Sequence, residues 1–334
     1  MVKKIVLTIL AVVIAVPAAG LAYLYFRSPA MQPASAIKVS MTPERIARGR
    51  MIFEHLSDCG GCHSGHDLTR IGLPIDPAKQ GAGMVLSDLI IGLPGVVVAA
   101  NLTPDLETGL GSWTDGEKIR AIRDGVDREG RTPFPMMPYV SYRSMSDEDV
   151  ESLVAYLNSL PPVRNPLPKT QIKFPVNLFI KGVPKPAGHI AAVDRTDKLK
   201  YGEYLVNAVS GCAGCHTPVE KGQPVAGKEF AGGQIFDAPS IGKVRSANIT
   251  PDSETGIGKW SEDFFVKKFG EYREYALNGP PKMSGPEQFT VMPWLSFSQT
   301  PEEDLRAIYT YLRTLKPVYN SVEIHPGVPN KPTM

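Results

Sequence analysis

Four cysteines occur in the 334 residues, and all fall in two short runs, Cys59-Gly60-Gly61-Cys62-His63 and Cys212-Ala213-Gly214-Cys215-His216. Two thiols three positions apart, followed at once by an imidazole, match the attachment signature for c-type heme. Both sulfurs add to the vinyl groups, and the adjacent histidine places a ring nitrogen on the iron. A single helical turn presents the sulfurs to one heme edge and the ring to the metal. Three other chemistries use paired cysteines. A four-cysteine zinc site gathers its pairs within one small module, whereas these stand in opposite halves of the chain. A thioredoxin-like pair needs a βαβ setting, which the sequence lacks. Disulfides across two residues close little loop entropy and make poor staples. The expectation is heme c, covalently attached twice, through Cys59 and Cys62 and through Cys212 and Cys215, with His63 and His216 on the irons.

A second axial ligand has to come from far along the chain in each case. Met137 and Met292 follow their histidines at nearly equal separations, each directly before a proline. A thioether is a soft ligand that favours ferrous iron and raises the potential. Met136 is a neighbouring candidate, and the Met-Pro match to the second half selects Met137. Trp113 and Trp260 occupy matching places and offer an indole N–H to a heme propionate, though they are equally natural core residues. His55, His66, His189 and His325 have no counterparts between halves, and exposed, solvated positions are expected for them.

The matches extend well beyond the cysteines. Asn101-Leu102-Thr103-Pro104-Asp105 is echoed by Asn248-Ile249-Thr250-Pro251-Asp252, and Thr108-Gly109-Leu110-Gly111-Ser112-Trp113 by Thr255-Gly256-Ile257-Gly258-Lys259-Trp260. The order is the same in both halves while the offset drifts, which marks a duplication with loop insertions. Each half closes on a helix. Ser146-Asp147-Glu148-Asp149 reads as a capping box ahead of Val150, Leu153, Val154 and Leu157, with Pro161 and Pro162 as the stop. Thr300, Pro301 and Glu303 read as the matching start ahead of Leu305, Ile308 and Leu312. Middle helices are expected from Thr114 and from near Ser261. Strand content should be minor.

The resulting layout is mainly α, with two tandem heme-binding domains over 43–165 and 196–320. A Pro/Ala/Ser spacer covers 28–42, a Pro-rich strap without helix signals covers 166–195, and a loose tail covers 321–334. Ile5–Phe26 carries no charge and follows Lys3 and Lys4. A helix of that length spans a hydrocarbon core of about 30 Å, and the lysines favour an inside N-terminus. Residues 1–27 therefore read as a transmembrane anchor, the rival being a cleaved signal peptide with Ala18-Ala19-Gly20 at the cut. Both export the rest of the chain to the outer side of the membrane. With 36 basic against 34 acidic residues, no basic face marks a nucleic-acid partner.

With these motifs in view the chain resembles class I cytochromes c. More closely, it is similar to the multiheme cytochrome subunits of membrane-bound periplasmic dehydrogenases, such as those oxidising alcohols or gluconate. The resemblance covers both halves and implies the cytochrome c fold, in which Gly49 meets Tyr156 and Gly202 meets Tyr311. It also implies a protein without catalysis of its own. Such a diheme relay passes electrons from a dehydrogenase to a cytochrome, oxidase or other respiratory acceptor. The enzymatic alternative is a diheme cytochrome c peroxidase, whose peroxide-reacting iron needs an open sixth position, against a Met-Pro pair in both halves. Oxidation of a sulfur compound at a Cys-ligated heme would need a cysteine outside the pentads.

Overall fold

The computed structural model describes residues 1–90, 92–220 and 222–328, and the chain is about 40% helical. It opens on α1 (Val2–Phe26), none of which is buried. Among the described residues this is the one helix long and apolar enough to cross a membrane, by length and composition.

The first half is built from α2 (Pro43–Met51), α3 (Cys59–His63), α4 (Asp115–Arg123), α5 (Tyr139–Tyr142) and α6 (Asp147–Ser159). A short α7 (Val176–Phe179) follows. The second half repeats the series with α8 (Lys198–Tyr204), α9 (Ala213–His216), α10 (Glu262–Gly270), α11 (Arg273–Asn278), α12 (Trp294–Phe297) and α13 (Glu302–Leu312). The strands among the described residues form short antiparallel pairs, the longest joining Ile235–Ala238 to Gly242–Arg245.

In each half the first and last helices pack face to face, and a glycine sets how closely. A Cβ on Gly49 would lie 1.8 Å from the Ser152 carbonyl oxygen and 2.8 Å from Tyr156 Cβ. A Cβ on Gly202 would lie 1.9 Å from the Ala307 oxygen and 3.2 Å from Tyr311 Cβ. Only hydrogen fits there, so both expected glycine–tyrosine meetings are present. The apolar stripe Val150, Leu153, Val154 and Leu157 is buried, as is Leu305, Ile308 and Leu312. Both stripes belong to one core that also takes in Ile52, Phe53 and Leu56 from one half and Leu205, Val206 and Val209 from the other. Those last residues lie on π-helical turns, Ile52–Leu56 and Leu205–Val209, that widen the first helix just ahead of each cysteine pair.

Several local expectations need correction. The capping box at Thr114 forms in full, with Glu117 N–H donating to Thr114 and Thr114 N–H to the Glu117 carboxylate. At Ser146 only half of it forms. Ser146 accepts from Asp149 N–H, but the Asp149 carboxylate is taken by Arg48 at 2.7 and 2.8 Å and by the Tyr204 hydroxyl at 2.7 Å. Tyr204 comes from the second half, so a cap residue has become a staple between halves. Thr300 does not cap its helix either. The cap position falls to Pro301, and the Thr300 hydroxyl is buried without a hydrogen-bond partner.

The spacer and the strap are both docked. Val39 is buried and its N–H donates to Asp115 Oδ2 at 2.9 Å. The backbone of Ser35 presses on Gly116, where a Cβ would meet the Ser35 oxygen at 2.0 Å. The strap contains α7, and its Gln171–Ile172 pairs antiparallel with Gly95–Val96. Arg123 donates to Gly188 O at 2.7 Å and Arg143 to Lys185 O at 3.2 Å, tying it further to the first half. Proline prevents a long helix but leaves carbonyls free to accept, which the neighbouring arginines exploit. In the tail, Arg245 N–H donates to Ile324 O at 2.8 Å. The tail beyond residue 328 lies outside the described residues.

Candidate heme sites

The first cysteine pair sits on α3, entered through Asp58 in left-handed backbone (φ 46). The four cysteines form no disulfide with one another. Burial pushes the Cys59 thiol well above its ordinary range and the Cys212 thiol up to about 12. Burial of this kind disfavours the thiolate that a dithiol redox pair relies on. Among the described residues no cluster of three or more His, Cys, Asp or Glu side chains is set to hold a metal ion directly. That leaves the zinc alternative without a ligand set.

His63 is 9% exposed, and its Nδ1 contacts the Ala100 carbonyl oxygen at 2.7 Å. A carbonyl only accepts, so Nδ1 carries the proton and the Nε2 lone pair is left for a metal. His216 repeats the contact with the Ala247 carbonyl, also at 2.7 Å. Burial lowers the pKa of both rings, which keeps them neutral as a ligand must be.

The two acceptor carbonyls stand directly before Asn101 and Asn248, which gives the Asn-x-Thr-Pro-Asp turns their place. Asn101 Oδ1 accepts from Thr103 N–H and hydroxyl at 3.0 and 2.7 Å, while its Nδ2 donates to Val163 O at 2.7 Å. Asn248 does the same with Thr250 at 3.0 and 2.8 Å and with Val318 O at 2.8 Å. Asp105 and Asp252 then accept from the N–H and hydroxyl of Thr108 and Thr255. Each turn pins the strip carrying the histidine's acceptor to the chain leaving the closing helix. The sequence shows the turn and its repetition, and the feature it leaves hidden is the carbonyl one residue upstream.

Met137 and Met292 have the same backbone as each other. Tyr139 N–H donates to Met137 O at 2.9 Å and Trp294 N–H to Met292 O at 2.8 Å. The prolines between them, at φ −82, ψ 42 and φ −78, ψ 63, form inverse γ-turns. Proline's fixed φ suits that turn and holds the methionine on a stiff corner. Both methionines are half-buried against the shared core, as are Cys59, Cys212, Trp113 and Trp260. Met136 packs elsewhere, in a small cluster with Leu86, Val97 and Ala99. Trp260 stacks edge-on against Phe264, with ring centroids 4.9 Å apart.

The two sites adjoin across the interface between halves. Ser296, four residues past Met292, donates its hydroxyl to Asp58 Oδ1 at 2.6 Å, and its carbonyl lies 3.2 Å from His55 Nδ1. Reciprocally, a Cβ on Gly211, just before Cys212, would touch Ser141 and Pro138 beyond Met137. Ser57 donates to Val209 O at 2.8 Å. His55 and His66 are therefore not solvated. His55 bridges the halves, and His66 contacts Leu73 O at 2.6 Å and Gly61 O at 3.1 Å. His189 is 82% exposed beside Asp147, as expected, and His325 is half-buried.

Residues 46–161 match the family model described as cytochrome c. The chain is 30% identical over 293 residues to the fructose dehydrogenase cytochrome subunit of Gluconobacter japonicus, covering 85% of this chain and 55% of that protein. It is 31% identical over 295 residues to a nicotinate dehydrogenase subunit of Pseudomonas putida, covering 83% of this chain and 22% of that protein. It is 28% identical over 274 residues to a diheme cytochrome c-type protein of Cereibacter sphaeroides, with 80% and 84% covered. The chain thus spans about a fifth of the nicotinate dehydrogenase subunit and about half of the fructose dehydrogenase subunit. Residues 46–161 thus form a domain of the cytochrome c family, and the chain as a whole is similar to cytochrome c subunits of dehydrogenases and to a diheme cytochrome c.

Proposed function

We propose that the protein is a diheme electron relay of a dehydrogenase complex, held on the periplasmic face of a membrane by α1. Both halves, 43–165 and 196–320, act as cytochrome c domains. Cys59 and Cys62 would hold one heme c covalently, with His63 and Met137 as the ligands to its iron. Cys212, Cys215, His216 and Met292 would do the same for the other. Heme c, when bound, supplies a reversible one-electron change at iron. The chain's own residues fix the imidazole tautomer through Ala100 and Ala247 and keep each thioether on a proline corner. Trp113 and Trp260 are candidates to reach the propionates.

The observation that carries this reading is the duplicated histidine–carbonyl bond, each copy directly behind a cysteine pair and ahead of an Asn-x-Thr turn. A site repeated with its supporting hydrogen bonds is kept for what both copies hold. Ligation by methionine in both halves leaves neither iron open, which suits a relay and opposes peroxide chemistry. The peroxidase alternative draws nothing from the relatives, which are dehydrogenase subunits and a diheme cytochrome. A dehydrogenase as electron donor follows the names of those relatives, and a cytochrome or oxidase is the fitting acceptor. The hydrogen bond from Ser296 to Asp58, which joins the segment after Met292 to the residue before Cys59, supports side-by-side sites for direct transfer.

The test is mass spectrometry and pyridine hemochrome analysis of protein matured with a cytochrome c assembly system. The expected result is two covalent hemes per chain, both six-coordinate, with no peroxidase turnover. One heme, or an iron that binds cyanide or peroxide freely, sinks the relay reading.

A further inference from the structure

The strap between the halves has a composition the relay function does not use. From Pro166 to Val193 it contains Lys169, Lys173, Lys181 and Lys185 and no acidic residue. Lys169, Lys173 and Lys185 are exposed. Among them stand two large aromatics left in the open, Phe174 at 68% exposure and Phe179 at 55%, while Leu178 between them is buried as the internal anchor of α7.

The strap also meets the exit of α1. Arg27, the first residue past that helix, donates to the carbonyls of Leu178 and Phe179, both at 2.9 Å. Lys181 donates to Tyr25 O at 2.9 Å and sits 5.9 Å from the centre of the Tyr25 ring. Tyr23, Tyr25 and Phe26, all exposed, ring the same end of the helix. Beside the strap, the loop paired to Gln171–Ile172 contributes Ile90, Leu93 and Val96 to a shallow cavity that Gln171 and Lys173 of the strap also line.

We infer that residues 169–185 form a second membrane contact, lying in the headgroup layer beside α1, with Phe174 and Phe179 in the acyl boundary and the lysines on anionic phospholipid. The inference rests on α1 being an uncleaved span. The occupant follows from place and charge together. If α1 crosses the bilayer, its aromatic end lies at the water interface, and hydrogen bonds from Arg27 and Lys181 fix α7 at that depth. Aromatics with apolar bodies and unopposed lysines are what such a layer accepts, since basic residues are attracted to an anionic surface. The contact has a mechanical consequence. A single helix followed by a hinge would let the head tumble, whereas helix and strap together fix which side of the first half faces the bilayer.

The experiment uses the full-length, heme-loaded protein in nanodiscs of phosphatidylglycerol and phosphatidylcholine, without other proteins. Spin labels are placed one at a time by Phe174→Cys, Phe179→Cys and Val13→Cys, and each is tested for collision with lipid-soluble oxygen and with a water-soluble nickel chelate. Oxygen is expected to dominate at 174 and 179, with less depth than at 13, and replacing the four lysines by glutamine should shift both strap labels toward water. Nickel dominating at 174 and 179 while 13 reads as lipid overturns the inference and leaves the anchor intact, whatever covers the strap in native membranes. Nickel dominating at 13, or loss of residue 13 by cleavage, removes the anchor itself and with it the basis for the strap contact.

Discussion

The residue before the first cysteine is Asp58 in one half and Gly211 in the other, and both adopt left-handed backbone, at φ 46 and φ 59. The corner is the same and the residues differ sharply. Glycine takes that conformation without strain, while aspartate tolerates it through its short polar side chain. Asp58 thereby brings a carboxyl to the edge of the first site that the second site lacks. The enclosure differs too. Burial is more complete around His63 than around His216, which is half-buried. The loop after the first pentad reaches the other half, where Ile71 N–H donates to Pro281 O at 3.0 Å and Met283 N–H to Thr69 O at 2.8 Å. The two halves share the residues proposed to hold a heme and differ in those placed to tune one.

The widest break in the equivalence of the two sites comes from removing one thioether at a time. On the proposed ligation, Met137→Ala and Met292→Ala each abolish half of the methionine–iron charge-transfer absorption of the oxidised protein. Each lowers one of two midpoint potentials by on the order of a hundred millivolts, within the roughly 0.8 V that axial ligands command. Met136→Ala leaves the absorption whole, because Met136 packs in the separate cluster with Leu86 and Val97. Potentiometric titration followed optically reads all three.

The helix contacts test whether the halves are equally stable. Gly49→Ala forces a methyl to 1.8 Å from Ser152 O, and Gly202→Ala one to 1.9 Å from Ala307 O. Backbone cannot yield as a side chain can, so each is expected to cost about 3 kcal/mol or more. Gly49→Ala is the more damaging, because Tyr156 Cβ stands closer than Tyr311 Cβ does. Thermal unfolding of the heme-loaded variants by circular dichroism ranks them.

A smaller effect separates the supporting turns. Asn101→Ala and Asn248→Ala each orphan a buried threonine N–H, while the threonine hydroxyl keeps the Val163 or Val318 backbone as partner, and loosen the strip behind the histidine, at a cost of roughly 1–3 kcal/mol. Thermal unfolding should place both below the wild type, together with a shift in the potential of the matching heme. Loss of stability without that shift would make the turns packing devices alone.

These comparisons also mark what the sequence made legible. The pentads, the Met-Pro pairs, the closing helices and the glycine–tyrosine contacts could be read because each is short-range or repeated, and a repeat turns one weak signal into two. The staples between halves could not. Asp149 resembles a cap residue until Tyr204 arrives from the second half, and His55 resembles a surface histidine until Ser296 does. Both depend on partners distant in the chain and without a counterpart in the other copy. The strap escaped for a related reason. Its prolines announce irregular backbone, yet what docks it is arginine from elsewhere meeting its free carbonyls.

Asp58 gives the finest test of the difference between sites. Its removal from water, which outweighs the hydrogen bonds from Ser296 and Gly61, pushes its pKa up to about 7. The folded protein then holds the proton more tightly than the unfolded chain, where the value is about 3.9. Stability from this group is therefore full below about pH 4 and is lost as pH rises through about 7. On the proposed ligation the carboxylate favours ferric iron above that pH, so the first heme's potential falls, and by more than that of the second, beside Gly211. At an effective dielectric of about 20, a unit charge acting over about 10 Å is worth roughly 1.7 kcal/mol, which sets the expected shift on the order of 70 mV for one electron. Asp58→Asn keeps the contact with Ser296 and removes the charge. Its first potential should be flat between pH 6 and 8 and equal to the low-pH wild-type value, and it should gain stability at pH 8. A wild-type potential that does not move with pH, or one that moves equally at both hemes, would place the ionising group elsewhere than the corner that Asp58 and Gly211 share.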